Sequence, residues 1–301
     1  MSATTDRMIR PGLRHTTPAA AKVRRTVQEA LFYVVLTALA VIFIFPFFWT
    51  VSSSLKQVSE IFNFPPTMLP AVPQFRNYAV VFQKVPFFGW ILNSLFVVFM
   101  VTTGALTTSS VVAYSFARFK YRGRDLLFMI TLGTMMLPSQ ITLIPQFVLF
   151  NKLGWINTLF PLWVPAWFGG GAFNIFLLRQ FIMSLPVDLD EAALIDGASY
   201  FRVFWNILIP LCKPALATLA ILAFIGSWND FVEPLIYLNS RELFTVAVGL
   251  NFFQNYPEQS GEPMQHLLMA ASVMTTIPCL VVFFSAQRYF VRGIVLSGLK
   301  A

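Results

Sequence analysis

The sequence predicts an all-α membrane protein: six transmembrane helices, with a polar two-helix elbow outside the bilayer between the fourth and the fifth. Three observations carry that fold class. Hydrophobic residues make up 57% of the chain and charged ones only 11%, with a mean hydropathy of +0.69, whereas soluble domains carry about 25% charged residues. Several apolar runs exceed the roughly 20 residues that a helix needs to cross a bilayer. The basic residues gather in an N-terminal tail and in short loops, as topology requires of a polytopic protein. A β-barrel would show alternating segments of about 10 residues, and none is found.

Residues 1–28 are polar and basic, with Arg7, Arg10, Arg14, Lys22, Arg24 and Arg25, and are expected to form a disordered cytoplasmic tail. The apolar run that follows is too long for a cleaved leader, so a six-span transmembrane body over 29–301 begins directly with a first span over about 30–51. The 55–89 loop is rich in Pro and aromatics, which predicts ordered irregular structure. The second span covers about 90–116 and is followed by a tight basic turn of Arg118, Lys120, Arg122 and Arg124. The third covers 126–150 and the fourth 159–182.

The elbow, residues 185–210, holds four of the thirteen acidic residues. Asp188 followed three positions later by Glu191 reads as a capping box, so a helix is expected from near Leu189. Gly197 can take the left-handed conformation that ends it, and Ser199 can cap a second helix running to Pro210. A fifth span over 211–231, a loop over 238–263 and a sixth span over 267–290 complete the chain.

Six spans put both termini on one side, and the charges agree. Sixteen of the 21 basic residues fall on the side of the tail, the basic turn and the elbow. The other five are Lys56, Arg76, Lys84, Lys152 and Arg241. The excess of positive charge then orients both termini and the elbow to the cytoplasm. The net charge of +8 is a matter of topology, and nucleic acid is not an expected partner. Cys212 and Cys279 lie in or beside spans and predict neither a disulfide nor a metal site.

No segment supports catalysis. A Gly-x4-Gly-Lys-Ser/Thr phosphate loop is absent, and His15 and His266 stand alone. Gly169-Gly170-Gly171 lies within an apolar span, where close helix approach or a local break explains it. The centres of the spans hold almost no ionisable side chain, which argues against a proton-coupled carrier. Uncharged polar groups are more informative: Asn93 opens the second span, Gln140 and Gln146 flank Pro138 and Pro145 in the third, Asn174 follows the triple glycine, and Trp228-Asn229-Asp230 ends the fifth. Asn93, Gln140, Gln146, Asn174, Trp228 and Asn229 are candidates to line a translocation path, and interhelical hydrogen bonding is the competing explanation.

Glu191-Ala192-Ala193, Gly197 after three residues, then Ile207-Leu208-Ile209-Pro210 resembles the coupling loop of ATP-binding-cassette importer permeases. The one departure from that spacing is Ile209 where Leu is usual. The similarity spans about residues 28–300. The ending Gln287-Arg288-Tyr289-Phe290-Val291-Arg292-Gly293, together with Leu137-Pro138-Ser139-Gln140 and Trp228-Asn229-Asp230-Phe231, resembles carbohydrate-uptake permeases of the maltose-permease type. Glycerol-phosphate and polyol importers share most of these features and form the alternative. With Ala301 so close behind that ending, contacts through a longer C-terminal extension are not expected.

The resemblance implies a non-catalytic subunit in the cytoplasmic (inner) membrane of a prokaryote. Its expected partners are a second, different permease, two ATPase subunits, an extracytoplasmic solute-binding protein, a sugar (an oligosaccharide or glycoside) and membrane lipid. The chain itself is expected to hold no cofactor; ATP and Mg belong to the ATPases. Glu191, Ala192, Ala193, Asp196, Gly197, Phe201 and Pro210 are the implied ATPase-coupling residues. Glu191 can also serve simply as the returning half of the capping box. Asn251, Phe252, Phe253, Asn255 and Tyr256 in the 238–263 loop are implied contacts for the binding protein. An ion-coupled carrier and a membrane assembly factor are rivals from other classes.

Overall fold

In a computed structural model, residues 18–255 and 263–298 are described, and every regular element among them is helical. The chain divides into two units, Met1–Thr50 and Val51–Ala301. The first consists of most of α1 (Pro18–Ser54), whose apolar side chains from Leu31 to Phe48 are exposed within this chain. That helix begins well before residue 29, so the expected disordered tail is helical over its last part. Pro18 supplies a pre-set first-turn φ and Ala19–Ala21 are strong helix formers. Within α1, Pro46 interrupts the backbone ladder, and Thr50 Oγ1 donates to its carbonyl at 2.9 Å.

The second unit is built round one long helix. After α2 (Val58–Ile61) and α3 (Arg76–Lys84) comes α4 (Phe87–Arg118), then α5 (Arg124–Thr134), α6 (Ser139–Lys152) and α7 (Phe160–Trp163). A 3-10 turn (Val164–Trp167) leads to α8 (Ala172–Met183), followed by α9 (Asp188–Ile195), α10 (Tyr200–Val203), a π-helical stretch (Phe204–Leu208) and α11 (Ile209–Leu211). The remainder is α12 (Lys213–Trp228), α13 (Val232–Tyr237), α14 (Val246–Asn255) and α15 (Gln265–Gly298). α4 packs against α8, α12 and the 3-10 turn, and α12 packs in turn on α15. At one end of α4, Trp90 is fully buried among Val81, Phe87, Val246, Phe253 and Leu267, and its indole N–H donates to the Arg241 carbonyl at 2.7 Å. At the other end, Ala113 and Tyr114 join Leu178, Ile182, Val203 and Leu208 in a second core.

Among the described residues, four helical segments are long and apolar enough to cross a membrane: Arg25–Ser54, Phe87–Arg118, Phe160–Met183 and Gln265–Gln287. A fifth is obtained if the bent pair Tyr200–Leu211 and Lys213–Trp228 counts as one. The segment expected as a third span is two shorter helices, α5 and α6, separated at residues 135–138. Pro138 causes the break: it is extended (φ −60°, ψ 132°), and a proline also forces the residue before it away from helical geometry. The fourth expected span is interrupted too, because Gly169, Gly170 and Gly171 all have positive φ. Gly170 comes so close to α4 that an added Cβ would collide with the Ala105 carbonyl and the Thr108 and Ser109 side chains. The triple glycine therefore combines both roles foreseen for it, a local break and close approach.

Candidate functional site: an elbow and a cleft joined by one helix

The elbow forms as two helical pieces meeting at Gly197. Its φ of +83° lies where L side chains are strained and glycine is not, and its N–H donates to the Leu194 carbonyl at 3.0 Å. Ser199 caps the second piece by accepting from the Arg202 N–H. The first piece starts differently from expectation. Asp188 is the first helical residue, preceded by Val187 in helical geometry with no side-chain cap. The Asp188–Glu191 capping box does not form, because the chain enters α9 already coiled and the Glu191 N–H donates to the Val187 carbonyl instead. After α11 the axis turns by 74° into α12.

The faces of the elbow divide cleanly. Leu194, Ala193 and Ala198 pack onto the core formed by Ala113, Leu178 and Val203. Glu191, Ala192, Asp196 and Pro210 are exposed, as are Ile195 at 86% and Phe201 at 74%. Phe201 stacks on Trp205 with the rings nearly parallel, 6.5 Å apart. Ala193 thus faces inward, unlike its neighbour Ala192, because only one side of so short a helix can meet the core while the other stays open.

One elbow acid is buried. Asp190 meets Arg118, the last residue of α4, at 2.7 Å between Oδ2 and Nε, with both side chains about nine-tenths covered. Arg118 Nη2 also donates to the carbonyls of Leu185 (3.1 Å) and Pro186 (3.5 Å). Burial pushes the Asp190 carboxyl above its ordinary range, and the adjacent guanidinium offsets only part of that. The basic turn had accounted for Arg118 as a topological charge. The signal for its partner was present: Asp190 precedes Ala193 by three residues and Leu194 by four, so it shares their inward face. An acid on a covered face requires a cation.

Farther along α4 lies a cleft of about 520 Å³. Val101 and Ala105 of α4 form one wall, Gly170, Gly171 and Asn174 another, and Gly226 and Ser227 of α12 a third, with Asp230 and Glu233 at its edge. Asn174 Nδ2 donates to the Gly170 carbonyl at 2.6 Å, and the Glu233 N–H donates to Asp230 Oδ1 at 3.4 Å. Of the six side chains proposed as path lining, Asn174 reaches this cleft. Trp228 is a core residue, 3% exposed and stacked on Phe224, because it packs into the same apolar cluster as Trp90. Asn93 donates to the Glu242 and Phe244 carbonyls, and exposed Asn229 donates to the Ile225 carbonyl. Gln140 and Gln146 are exposed on α6. Asp230 enters the lining from the turn after α12 and Glu233 from the first turn of α13, a placement that spacing alone did not disclose.

In the 238–263 loop, Asn251 and Phe252 are half-buried, and the Arg241 guanidinium sits 4.2 Å from the Phe252 ring centre. Phe253 is 1% exposed and belongs to the Trp90 core, so it presents no surface, and Phe252 packs partly against the same core, edge-on to Trp90. The Asn255 side chain and Tyr256 lie outside the described residues.

Residues 105–296 match the family model of the binding-protein-dependent transport system inner membrane component. The arabinooligosaccharides transport system permease protein AraQ of Halalkalibacterium halodurans is 32% identical over 270 residues, covering 87% of this chain and 93% of that protein. The sn-glycerol-3-phosphate transport system permease protein UgpE of Yersinia pestis is 33% identical over 261 residues, covering 84% and 91%. A chain in the crystal structure of a bacterial ABC transporter involved in the import of the acidic polysaccharide alginate superposes with a TM-score of 0.78 at 26% identity, covering 88% and 97%. With its helical spans, its elbow and this extent of similarity, the chain belongs to the family of binding-protein-dependent transport system inner membrane components.

Proposed function

We propose that this permease subunit, with a second and different permease, forms the path by which an ATP-driven importer takes up an uncharged oligosaccharide or glycoside handed over by an extracytoplasmic binding protein. The observation that carries this is the shared use of α4, which holds the elbow at its Arg118 end and walls the cleft through Val101 and Ala105. The elbow's exposed surface, Glu191, Ala192, Ile195 and Phe201, docks on an ATPase; Asp196, Gly197 and Pro210 shape it. Small Ala192 lets the helix sit deep in a groove, and Ile195 and Phe201 supply apolar area, since an exposed ion pair of Glu191 alone is worth only about 0–1 kcal/mol.

ATP and Mg are held by the ATPases. ATP shifts the permeases from inward-facing to outward-facing only to the extent that it binds the closed ATPase dimer better than the open one. Six crossings, with both termini and the elbow in the cytoplasm of a prokaryotic cell, follow if α5 and α6 together make the third span and the bent pair ending in α12 makes the fifth. Gln140, Gln146 and Asn229 then complete the path against the second permease. Asn251 and Phe252, with Asn255 and Tyr256, meet the binding protein.

The lining also bears on the glycerol-phosphate alternative. Two carboxyl groups, Asp230 and Glu233, line the cleft, and no Lys or Arg is among the described residues lining it. A phosphate entering there meets acidic groups and no cation to pair with it, which costs affinity, whereas hydroxyls find hydrogen-bond partners. The test is reconstitution with the second permease, the ATPases and the binding protein in proteoliposomes. Labelled oligosaccharide is expected to accumulate with ATP and labelled glycerol phosphate is not. Gly197→Pro should keep hydrolysing ATP yet lose uptake, because Pro is fixed near φ −65° and cannot occupy the joint. Sugar uptake by the purified chain without any ATPase would overturn the reading.

A further inference from the structure

Arg118 ends α4 and Asp190 lies in the first turn of α9. The guanidinium spans three attachment points on the incoming segment: the Asp190 carboxylate and the carbonyls of Leu185 and Pro186. A second tie lies beside it, where Tyr114 Oη donates to the Tyr200 carbonyl and its ring packs against Phe119 and Phe204. Both halves of the elbow are therefore fastened to the last two turns of one helix.

Stability alone is a poor reason for such a pair. Desolvating two charges consumes most of what their attraction returns, and apolar replacements of equal size often serve as well. Asp190 Oδ1 and Arg118 Nε are moreover both buried without a hydrogen-bond partner, so the carboxylate holds the guanidinium by charge at 2.7 Å while the hydrogen bonds of Arg118 go to the two carbonyls. What a charged, three-point contact supplies and an apolar one does not is fixed register: Ala193 and Leu194 slide over their neighbours at little cost, while a guanidinium held by a carboxylate and two carbonyls does not. From Arg118 to Ala105, at the cleft wall, α4 runs about 20 Å at 1.5 Å per residue, and helical backbone carries a displacement over that length without loss.

We propose that Arg118 and Asp190 are positioning residues that make the elbow and α4 a single lever, so that a shift of the elbow moves the Val101–Ala105 wall of the cleft. This rests on the reading that the elbow docks an ATPase. The test uses the complete importer in proteoliposomes with Cys212 and Cys279 replaced by Ala and Ala223→Cys, on the α12 side of the cleft, as reporter. A charged methanethiosulfonate reagent is the probe, and its reaction rate is measured without nucleotide and with ATP trapped by vanadate, alongside ATP hydrolysis.

With the pair intact, trapping changes the rate by at least about fivefold, the lower end of ordinary coupling between sites. Asp190→Asn abolishes that change while hydrolysis and co-purification with the ATPases persist, and the swap Arg118→Asp with Asp190→Arg restores at least half of it. A change that persists at full size in Asp190→Asn overturns the proposal. Should the single variant fail to assemble, Arg118→Gln with Asp190→Asn leaves no charge unpaired and is read in the same way. No trapping effect even with the pair intact, together with no crosslink from the elbow to an ATPase, instead sinks the docking reading beneath it.

Discussion

Gly170 and Gly169 are adjacent, both have positive φ, and their surroundings differ. A Cβ at Gly170 meets the Ala105 carbonyl, whereas one at Gly169 meets open space. Gly169→Ala should therefore cost only the left-handed strain of about 1–2 kcal/mol. Gly170→Ala adds overpacking of about 1–3 kcal/mol and displaces the cleft wall as well. Thermal unfolding in detergent should rank the two in that order. Ser199→Ala, which removes one cap, should cost about 1 kcal/mol by the same measurement. Gly197 and Ser199 were legible from sequence because turn and cap chemistry is decided within a few residues. Asp188 was misread for the complementary reason: its capping role depended on how the preceding residues enter the helix, and Val187 enters coiled.

At the scale of elements, the two ion pairs at the ends of the basic turn should behave oppositely. Arg124–Asp125 is a neighbouring surface pair with Asp125 open to solvent, so Asp125→Ala should leave unfolding unchanged. Asp190→Ala strands a buried guanidinium and should loosen the elbow by about 3–5 kcal/mol, seen as faster hydrogen exchange in residues 188–203 while α4 and α8 keep their protection. The interruption at Gly169–Gly171 was anticipated, since glycine acts locally; the break at Pro138 was not, because the apolar run continues across it and reads as one span. The pairing of Arg118 with Asp190 could not be located from spacing, because the residues are 72 positions apart and meet only once α8 has folded back along α4. Trp228 and Phe253 escaped for a related reason: an aromatic near a helix end is equally suited to a surface or a core, and long-range packing decides which.

For the whole molecule, the composition and the long apolar runs were sufficient to recognise a membrane-spanning helical protein. The elbow spacing pointed to the family that the relatives then established. The cleft was not foreseeable as a unit, since it draws on α4, the glycine break, α12 and the turn beyond it, and its two carboxyl groups set the substrate preference proposed above. That preference has its own check: Asp230→Asn with Glu233→Gln should leave oligosaccharide uptake within a few-fold of the parent while reducing the discrimination against glycerol phosphate, since amides can donate to a phosphate where the acidic groups do not favour it.

The central claim is that a motor outside this chain grips its elbow. Cysteine crosslinking tests it most directly, with Ile195→Cys as the probe because that side chain is exposed and holds up no core. In the assembled complex, a short bifunctional thiol reagent should join this position to an ATPase subunit carrying cysteines in its membrane-facing groove, and the yield should change with ATP. Failure to capture an ATPase from Ile195→Cys, Ala192→Cys and Phe201→Cys alike, in a complex that still transports, would contradict the account.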